Sequence, residues 1–182
     1  MQITPTAYVI AAATPWLFAL GMCDWRTRKL PNQLTLGGAA VIAAASFFCR
    51  GVPPFGNALL GGAIAGGLLV IPFLLRAAGG GDLKFLFAGG LLVGFPAVFP
   101  MLMLTSVFGL LLGIAMQIAG LVDPARLKHF LRSLFDWRYD RAEGRRNLPP
   151  RDNERCRVPF GVAIAAGVWV TLILRLVGEI AR

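Results

Sequence analysis

Residues 58–75 read ALLGGAIAGGLLVIPFLL, a run without a single charged side chain. A helix needs about 20 mostly apolar residues to cross the hydrocarbon core of a bilayer, and this run is close to that length. The chain around it is 57% hydrophobic and 15% charged, with a mean hydropathy of +0.68, which is far from the profile of a soluble domain. The sequence therefore predicts an all-α integral membrane protein whose 182 residues form one polytopic domain.

Apolar segments on both sides of this run predict about six transmembrane helices. They cover residues 8–23, 34–49, 58–75, 85–99, 101–122 and 158–180. The fourth segment is short for a span and contains Pro96, with Pro100 directly after it, so residues 82–84 could supply its first turn. We expect the fourth and fifth helices to be separated by a turn around Pro100.

The net charge is +9, and the positive residues are concentrated in alternate loops. These loops are residues 24–33, 76–84 and 123–157, whereas the loops on the other side carry few Lys or Arg residues. The positive-inside rule places such basic loops in the cytoplasm, and it therefore predicts that both termini are extracytoplasmic. Charges distributed in this way favour contact with membrane lipid and give no indication of nucleic-acid binding.

The long basic loop, residues 123–157, contains an apolar pattern of its own. Its apolar residues recur at positions i, i+3, i+4, i+7 and i+8, namely Leu127, Phe130, Leu131, Leu134 and Phe135. This spacing predicts an amphipathic helix within residues 125–139 that lies on the cytoplasmic membrane surface. The helix could border the entrance to a functional site or serve only as an anchor, and the sequence leaves both roles open.

The glycines and cysteines of the sequence give little indication of function. Glycine pairs at four-residue spacing, such as Gly62 with Gly66 and Gly90 with Gly94, let helices approach closely. They could serve packing within the chain or a homodimer face, so the oligomeric state is unknown. The three cysteines form no Cys-x-x-Cys pair and the single histidine, His129, has no neighbouring ligand, so we predict no cofactor and no metal site.

The first polar motif follows the first apolar segment, where residues 24–32 read DWRTRKLPN. Asp24 is a carboxylate at a membrane boundary, which is costly unless it is solvated, paired or protonated. Pro31 suits the start of a new helix, and Asn32 is available for capping or turn hydrogen bonds. Taken alone, Asp24 could simply be a solvated helix flank.

The second polar motif is Gly79-Gly80-Gly81-Asp82-Leu83-Lys84, between the third and fourth segments. Consecutive glycines allow another chain to come close, so an extended substrate could run beside Asp82. A glycine turn with Asp82 as the N-cap of a helix is the structural alternative. On a helix, Lys84 would point about 160–200° away from Asp82, which favours a role in electrostatics or headgroup contact.

Together these motifs resemble the type IV prepilin peptidase family, which are membrane aspartyl peptidases with a Gly-x-Gly-Asp signature. Leu30-Pro31-Asn32 is similar to the family's Ile-Pro-Asn, with leucine in place of isoleucine. Residues 79–84 resemble its glycine-rich Gly-Asp-x-Lys, and Pro159-Phe160-Gly161 resembles the Pro-Phe-Gly opening of its last span. Order, spacing and predicted membrane side agree over almost the whole chain.

The resemblance implies that Asp24 and Asp82 are the catalytic pair. Two nearby carboxylates cannot both ionise cheaply, so they tend to share one proton. The ionised member can then take a proton from water while the protonated member polarises the scissile carbonyl, and the two roles are left unassigned. Residues that would bind substrate or shape the site are Gly79, Gly80, Gly81, Lys84, Pro31, Asn32, Pro159, Phe160 and Gly161.

By the same resemblance, the substrate is a prepilin with a short basic leader that is cut at the cytoplasmic face of the bacterial inner membrane. Larger family members carry an N-terminal cytoplasmic region with paired cysteines that is associated with N-methylation. This sequence begins at the first span and looks most like the short peptidases of Flp-type (Tad) pili. We therefore expect leader cleavage without methyltransferase activity.

Two other classes of protein remain possible from the sequence. A small transporter could use Asp24 and Asp82 as a proton or cation pathway. Its spans, however, offer few polar residues at mid-membrane, namely Ser46, Thr105, Ser106 and Gln117. A non-catalytic membrane scaffold would need neither carboxylate.

Overall fold

The computed structural model describes residues 5–49, 52–74, 78–121 and 158–180. Within these ranges the chain forms six helices and no strand. They are α1 (Pro5–Thr27), α2 (Asn32–Phe48), α3 (Phe55–Leu74), α4 (Gly80–Val93), α5 (Val98–Ile118) and α6 (Phe160–Ile180). The predicted amphipathic helix at 125–139 and the basic loop at 123–157 lie outside the described residues.

The helices of the described ranges differ in their ability to cross a membrane. Four of them, α1, α3, α5 and α6, are long and apolar enough to do so, and α2 is a shorter apolar helix. The all-helical membrane architecture is therefore confirmed. The number of spans and the extracytoplasmic location of both termini stay predictions.

The boundary between α4 and α5 differs from the one expected. Helix α4 does include residues 82–84, as predicted, but it begins two residues earlier, at Gly80. The helix then ends earlier than residue 99, because Gly94 takes a positive φ of 73° and Pro96 follows. The expected turn around Pro100 was wrong, since Pro100 lies in the first turn of α5. A proline in the first turn costs the helix no hydrogen bond, because the first N–H groups of a helix have no intrahelical partner.

Helix α4 lies at the centre of the bundle and packs against α2, α3 and α6. The closest approach is to α3, where a Cβ on Gly61 would lie 2.5 Å from the carbonyl oxygen of Gly90. Also on α3, Gly62 and, one turn later, Gly66 make room for the ring of Phe87. The glycine pattern of α3 and α4 therefore serves close packing within the chain.

Trp16 joins α1 to both α2 and α4. Its Nε1 donates a hydrogen bond to the carbonyl oxygen of Leu34 at 2.9 Å. Its ring meets the fully buried ring of Phe85 edge-on, with 5.6 Å between centroids. Gly38 leaves the space that the indole fills, since a Cβ there would lie 2.5 Å from Nε1. Three helices are thus fixed by one side chain in the half of the bundle that contains the polar motifs.

Helices α1 and α6 run antiparallel along their length. Near the start of α1, Thr6 Oγ1 donates to Glu179 Oε1 at 2.6 Å. Further along, Trp169 Nε1 donates to Thr14 Oγ1 at 3.1 Å. This pairing brings the end of α1, which carries Asp24, to the beginning of α6.

Candidate active site

Asp24 lies in the last turns of α1 and is buried, with 4% of its surface exposed. The backbone N–H of Gly161 donates to Asp24 Oδ2 at 2.6 Å, and the backbone of Val162 is a second hydrogen-bonding neighbour. The Gly161 N–H belongs to the first turn of α6, where it has no intrahelical acceptor. Asp24 therefore caps α6 from a different helix, and the interpretation of Asp24 as a solvated flank was wrong.

The motif Pro159-Phe160-Gly161 builds the other side of this contact. Pro159 is fully buried directly before α6 begins. The ring of Phe160 packs over Gly109 of α5, where a Cβ would lie 2.5 Å from Phe160 Cε2. At Gly161 a Cβ would lie 2.8 Å from Asp24 Oδ2, so the position requires glycine.

The sequence had indicated only that this motif opens the last span and would bind substrate or shape the site. The role of Gly161 as the hydrogen-bond donor to Asp24 was missed. A signal was present, because a glycine in the first turn of a predicted helix offers an unpaired N–H to an incoming carboxylate.

Asp82 is the third residue of α4 and is half-buried. The N-cap of α4 is Gly79, with φ −78° and ψ 144°, so the alternative that made Asp82 the N-cap was wrong. Its carboxylate turns back toward that residue, since a Cβ on Gly79 would lie 3.0 Å from Asp82 Oδ2. An acidic side chain in the first turn also suits the positive end of the helix dipole.

The glycines before Asp82 let the start of α4 lie close to two other segments. A Cβ on Gly81 would lie 2.9 Å from Leu30 Cβ, in the linker between α1 and α2. A Cβ on Gly80 would lie 3.2 Å from the ring of Phe73, near the end of α3. The expected role of these glycines in admitting a substrate strand stays a prediction.

Lys84 and Asn32 form a contact that the sequence did not reveal. Lys84 Nζ donates to Asn32 Oδ1 at 2.9 Å, across α4 and α2. The expected capping role of Asn32 was wrong, because the N-cap of α2 is Pro31 and no side chain caps this helix. Lys84, which we expected to contact headgroups, thus has a partner within the protein.

These contacts assemble the three sequence motifs at one end of the bundle. Asp24 meets the start of α6, the linker before α2 meets the start of α4, and Asn32 meets Lys84. Motifs that are far apart in the sequence thereby form one polar region. The side of this polar region that faces the interior of the bundle is apolar, because Phe85 lies one helical turn after Asp82 and is fully buried.

The model of the type IV leader peptidase family matches residues 11–114. This match spans more than half of the chain and includes both Asp24 and Asp82. The chain belongs to the type IV leader peptidase family. The resemblance predicted from the motifs is thereby confirmed, and the protein is a membrane peptidase of a family that acts on prepilins. No curated protein and no solved structure matches the chain.

The peptidase has an apolar groove of about 440 Å³ between α1 and α6. One of its ends is near Thr14 and Trp169, and the other is near Met22 and Trp25, within one turn of Asp24. Its remaining lining comes from the facing sides of the two helices, namely Leu17, Phe18, Gly21, Val162, Ala165 and Ala166. The groove thus leads along the membrane-spanning part of α1 toward the polar region.

Among the residues that the structure describes, no group of three or more His, Cys, Asp or Glu side chains could hold a metal ion.

Proposed function

We propose that the peptidase removes the leader of type IV prepilins of the Flp type at the cytoplasmic face of the bacterial inner membrane. Asp24 and Asp82 are its two catalytic aspartates in this proposal. The observation that carries it is the set of contacts that joins the end of α1 to the starts of α4 and α6. Family membership and the positions of both aspartates within the matched region add support.

The proposed chemistry needs only the two carboxylates and water. One carboxylate accepts a proton from the attacking water, while the protonated member hydrogen-bonds to the scissile carbonyl. The tetrahedral intermediate then collapses as a proton passes to the leaving amine. Asp24 is oriented before substrate binds, because Gly161 N–H already occupies Oδ2.

The proposed substrate suits a site at a membrane boundary. A prepilin has a polar leader and an apolar helix on the two sides of its scissile bond. The leader can stay in water while the helix lies in the bilayer, so the bond between them reaches the depth of the aspartates. The proposal concerns proteolysis alone.

We propose further that the apolar helix of the prepilin lies in the groove between α1 and α6. Support comes from the groove's apolar lining and from its end beside Asp24. Ala166→Leu should fill the groove and raise KM for the precursor several-fold with a smaller change in kcat. Val107→Leu, on the exposed side of α5, is the matched control and should leave both constants unchanged. An unchanged KM in Ala166→Leu would remove the groove from the proposal.

The decisive experiment uses purified peptidase in detergent with a purified Flp-type pilin precursor. Mass spectrometry of the product should locate the cut just before the apolar helix. Asp24→Asn and Asp82→Asn should each lower the cleavage rate by at least about 10²-fold, because general acid and base groups contribute roughly 10²–10⁴-fold. Asparagine keeps a side-chain oxygen that can accept from Gly161 N–H, so Asp24→Asn should still fold.

The same proteins, reconstituted into lipid vesicles, separate the other two classes of protein. A transporter would move protons or cations across a vesicle membrane in a manner that depends on the aspartates, without cutting the precursor. A scaffold would do neither. Full processing of the precursor by Asp82→Asn would contradict the proposed mechanism.

A further inference from the structure

The contact between Lys84 and Asn32 joins the two segments that carry the aspartates. Asp24 is followed by a short linker that leads to Asn32, the first residue of α2. Asp82 lies two residues before Lys84 in α4. The hydrogen bond from Lys84 Nζ to Asn32 Oδ1, at 2.9 Å, therefore connects the linker after one aspartate to the helix that bears the other.

Neither residue of this pair is in the position that local helix stability would favour. Lys84 lies only one turn into α4, and a cation near a helix N-terminus opposes the helix dipole. Asparagine is among the best N-cap residues, yet Asn32 lies one position past the N-cap, which is Pro31. Local helix energetics thus explain neither residue, whereas the contact between the two helices explains both.

A second contact runs parallel to the first. Leu30, two residues before Asn32, packs against Gly81, where a Cβ would lie 2.9 Å from Leu30 Cβ. The two contacts, Leu30 with Gly81 and Asn32 with Lys84, are on the two sides of Asp82 along α4. Together they fix how the first turns of α4 are rotated about the helix axis and how far along that axis they lie relative to the linker.

The linker is hydrogen-bonded to the end of α1, so it can transmit this position to Asp24. Arg28 closes α1 with a positive φ of 52°, which is uncommon for a residue other than glycine, and its N–H donates to the Asp24 carbonyl oxygen at 2.9 Å. Thr27 Oγ1 donates to the Cys23 carbonyl oxygen at 2.8 Å and accepts from Lys29 N–H at 3.3 Å. These hydrogen bonds tie the start of the linker to the last turn of α1, which carries Asp24.

We propose that Lys84 and Asn32 are positioning residues that set Asp82 relative to Asp24 through their shared hydrogen bond. This inference rests on the proposed function, because it concerns the alignment of the proposed catalytic pair. Lys84 is not a catalytic residue in this account and does not exchange a proton with the substrate. Its role is to hold the first turns of α4 in one register against the linker.

The test measures kcat and KM for cleavage of a purified pilin precursor by variants matched in shape. Lys84→Met and Asn32→Leu each remove the hydrogen bond, and each should lower kcat roughly tenfold with little change in KM, since small misplacements of reacting groups reduce turnover strongly. The double variant should be no slower than the slower single variant, because one contact can be lost only once. Lys84→Arg, which keeps a donor, should restore most of the wild-type kcat.

Arg175→Met is the matched control, because it exchanges a cation for methionine at the opposite end of the bundle. It should leave kcat and KM unchanged. A role of Lys84 in headgroup contact would predict that Asn32→Leu has wild-type kcat, or that the losses of the two single variants multiply in the double variant. Either result would overturn the proposal. Because Asn32 is exposed, Asn32→Leu carries the same test if Lys84→Met does not accumulate in the membrane.

Amide hydrogen exchange provides a readout that does not depend on activity. Exchange at residues 83–87, the first amides of α4 that have a backbone acceptor, should be faster in Lys84→Met and in Asn32→Leu than in the wild type, and it should be unchanged in Arg175→Met. Unchanged exchange in both variants would overturn the inference even if the protein cleaves no prepilin. Conversely, wild-type protein without cleavage activity, together with faster exchange in the variants, would reject the proposed function alone.

Discussion

Asp24 is 4% exposed and accepts a hydrogen bond from the backbone of another helix, whereas Asp82 is half-buried in the first turn of its own helix. The first carboxylate is part of the packing between α1 and α6, and Gly161 fits tightly against it. The second follows three glycines and depends on contacts with the linker before α2. Asp24 is therefore the fixed member of the pair, and the position of Asp82 is set by the neighbouring segments.

The largest loss of cleavage rate should come from a substitution that displaces Asp24, the fixed member of the pair. Gly161→Ala would place a Cβ 2.8 Å from Asp24 Oδ2, so the carboxylate must move away from its donor. We expect the cleavage rate to fall by about 10²-fold, which is the scale of a misplacement by 1 Å. Gly178→Ala, in open space on the same helix, is the control for the added methyl group. Wild-type cleavage by Gly161→Ala would show that Asp24 is not held in this way.

Removing each carboxylate outright should affect stability unequally. Asp24→Ala leaves a buried N–H of Gly161 without an acceptor, which costs about 1–3 kcal/mol of unfolding free energy. Asp82 is half-buried, so water can solvate the groups that Asp82→Ala leaves behind, and the loss of its favourable charge near a helix N-terminus contributes about 0.3–1 kcal/mol. Denaturant unfolding in detergent micelles would measure both values. Equal losses would contradict the distinction between the two aspartates.

The smallest loss of cleavage rate should come from a substitution at the contact between the linker and the start of α4, which positions Asp82. Gly81→Ala brings a methyl group 2.9 Å from Leu30 Cβ, and the linker can shift to accommodate part of this contact. We expect a loss of cleavage rate of roughly three- to tenfold, well below that of Gly161→Ala. Gly67→Ala, where nothing lies within 4 Å, should have no effect. A larger loss in Gly81→Ala than in Gly161→Ala would reverse the assignment of the fixed member.

Much of the fold could be predicted because membrane helices are specified by local composition. The apolar run of residues 58–75 coincides closely with α3, and the first turn of α4 was expected at residues 82–84. The end of α4 was misplaced because two prolines, Pro96 and Pro100, offered competing break points. Only backbone geometry, with Gly94 at positive φ, decides between them.

The motifs that contain both aspartates could also be recognised from the sequence, but their contacts could not. The hydrogen bond from Gly161 to Asp24 depends on how α1 and α6 pack, and these helices are far apart in the chain. The contact of Lys84 with Asn32 depends likewise on the rotation of α4 against α2. Pattern and spacing describe one helix at a time and do not contain this information.

The central claim is that Asp24 and Asp82 act as one catalytic unit. It is tested most directly by single-turnover cleavage of a pilin precursor with the wild type, Asp24→Asn, Asp82→Asn and the double variant. Groups that act as a unit have strongly non-additive effects. We predict that each single variant loses at least about 10²-fold and that the double variant is no slower than the singles. Losses that multiply in the double variant, or a single variant with the wild-type rate, would contradict the account.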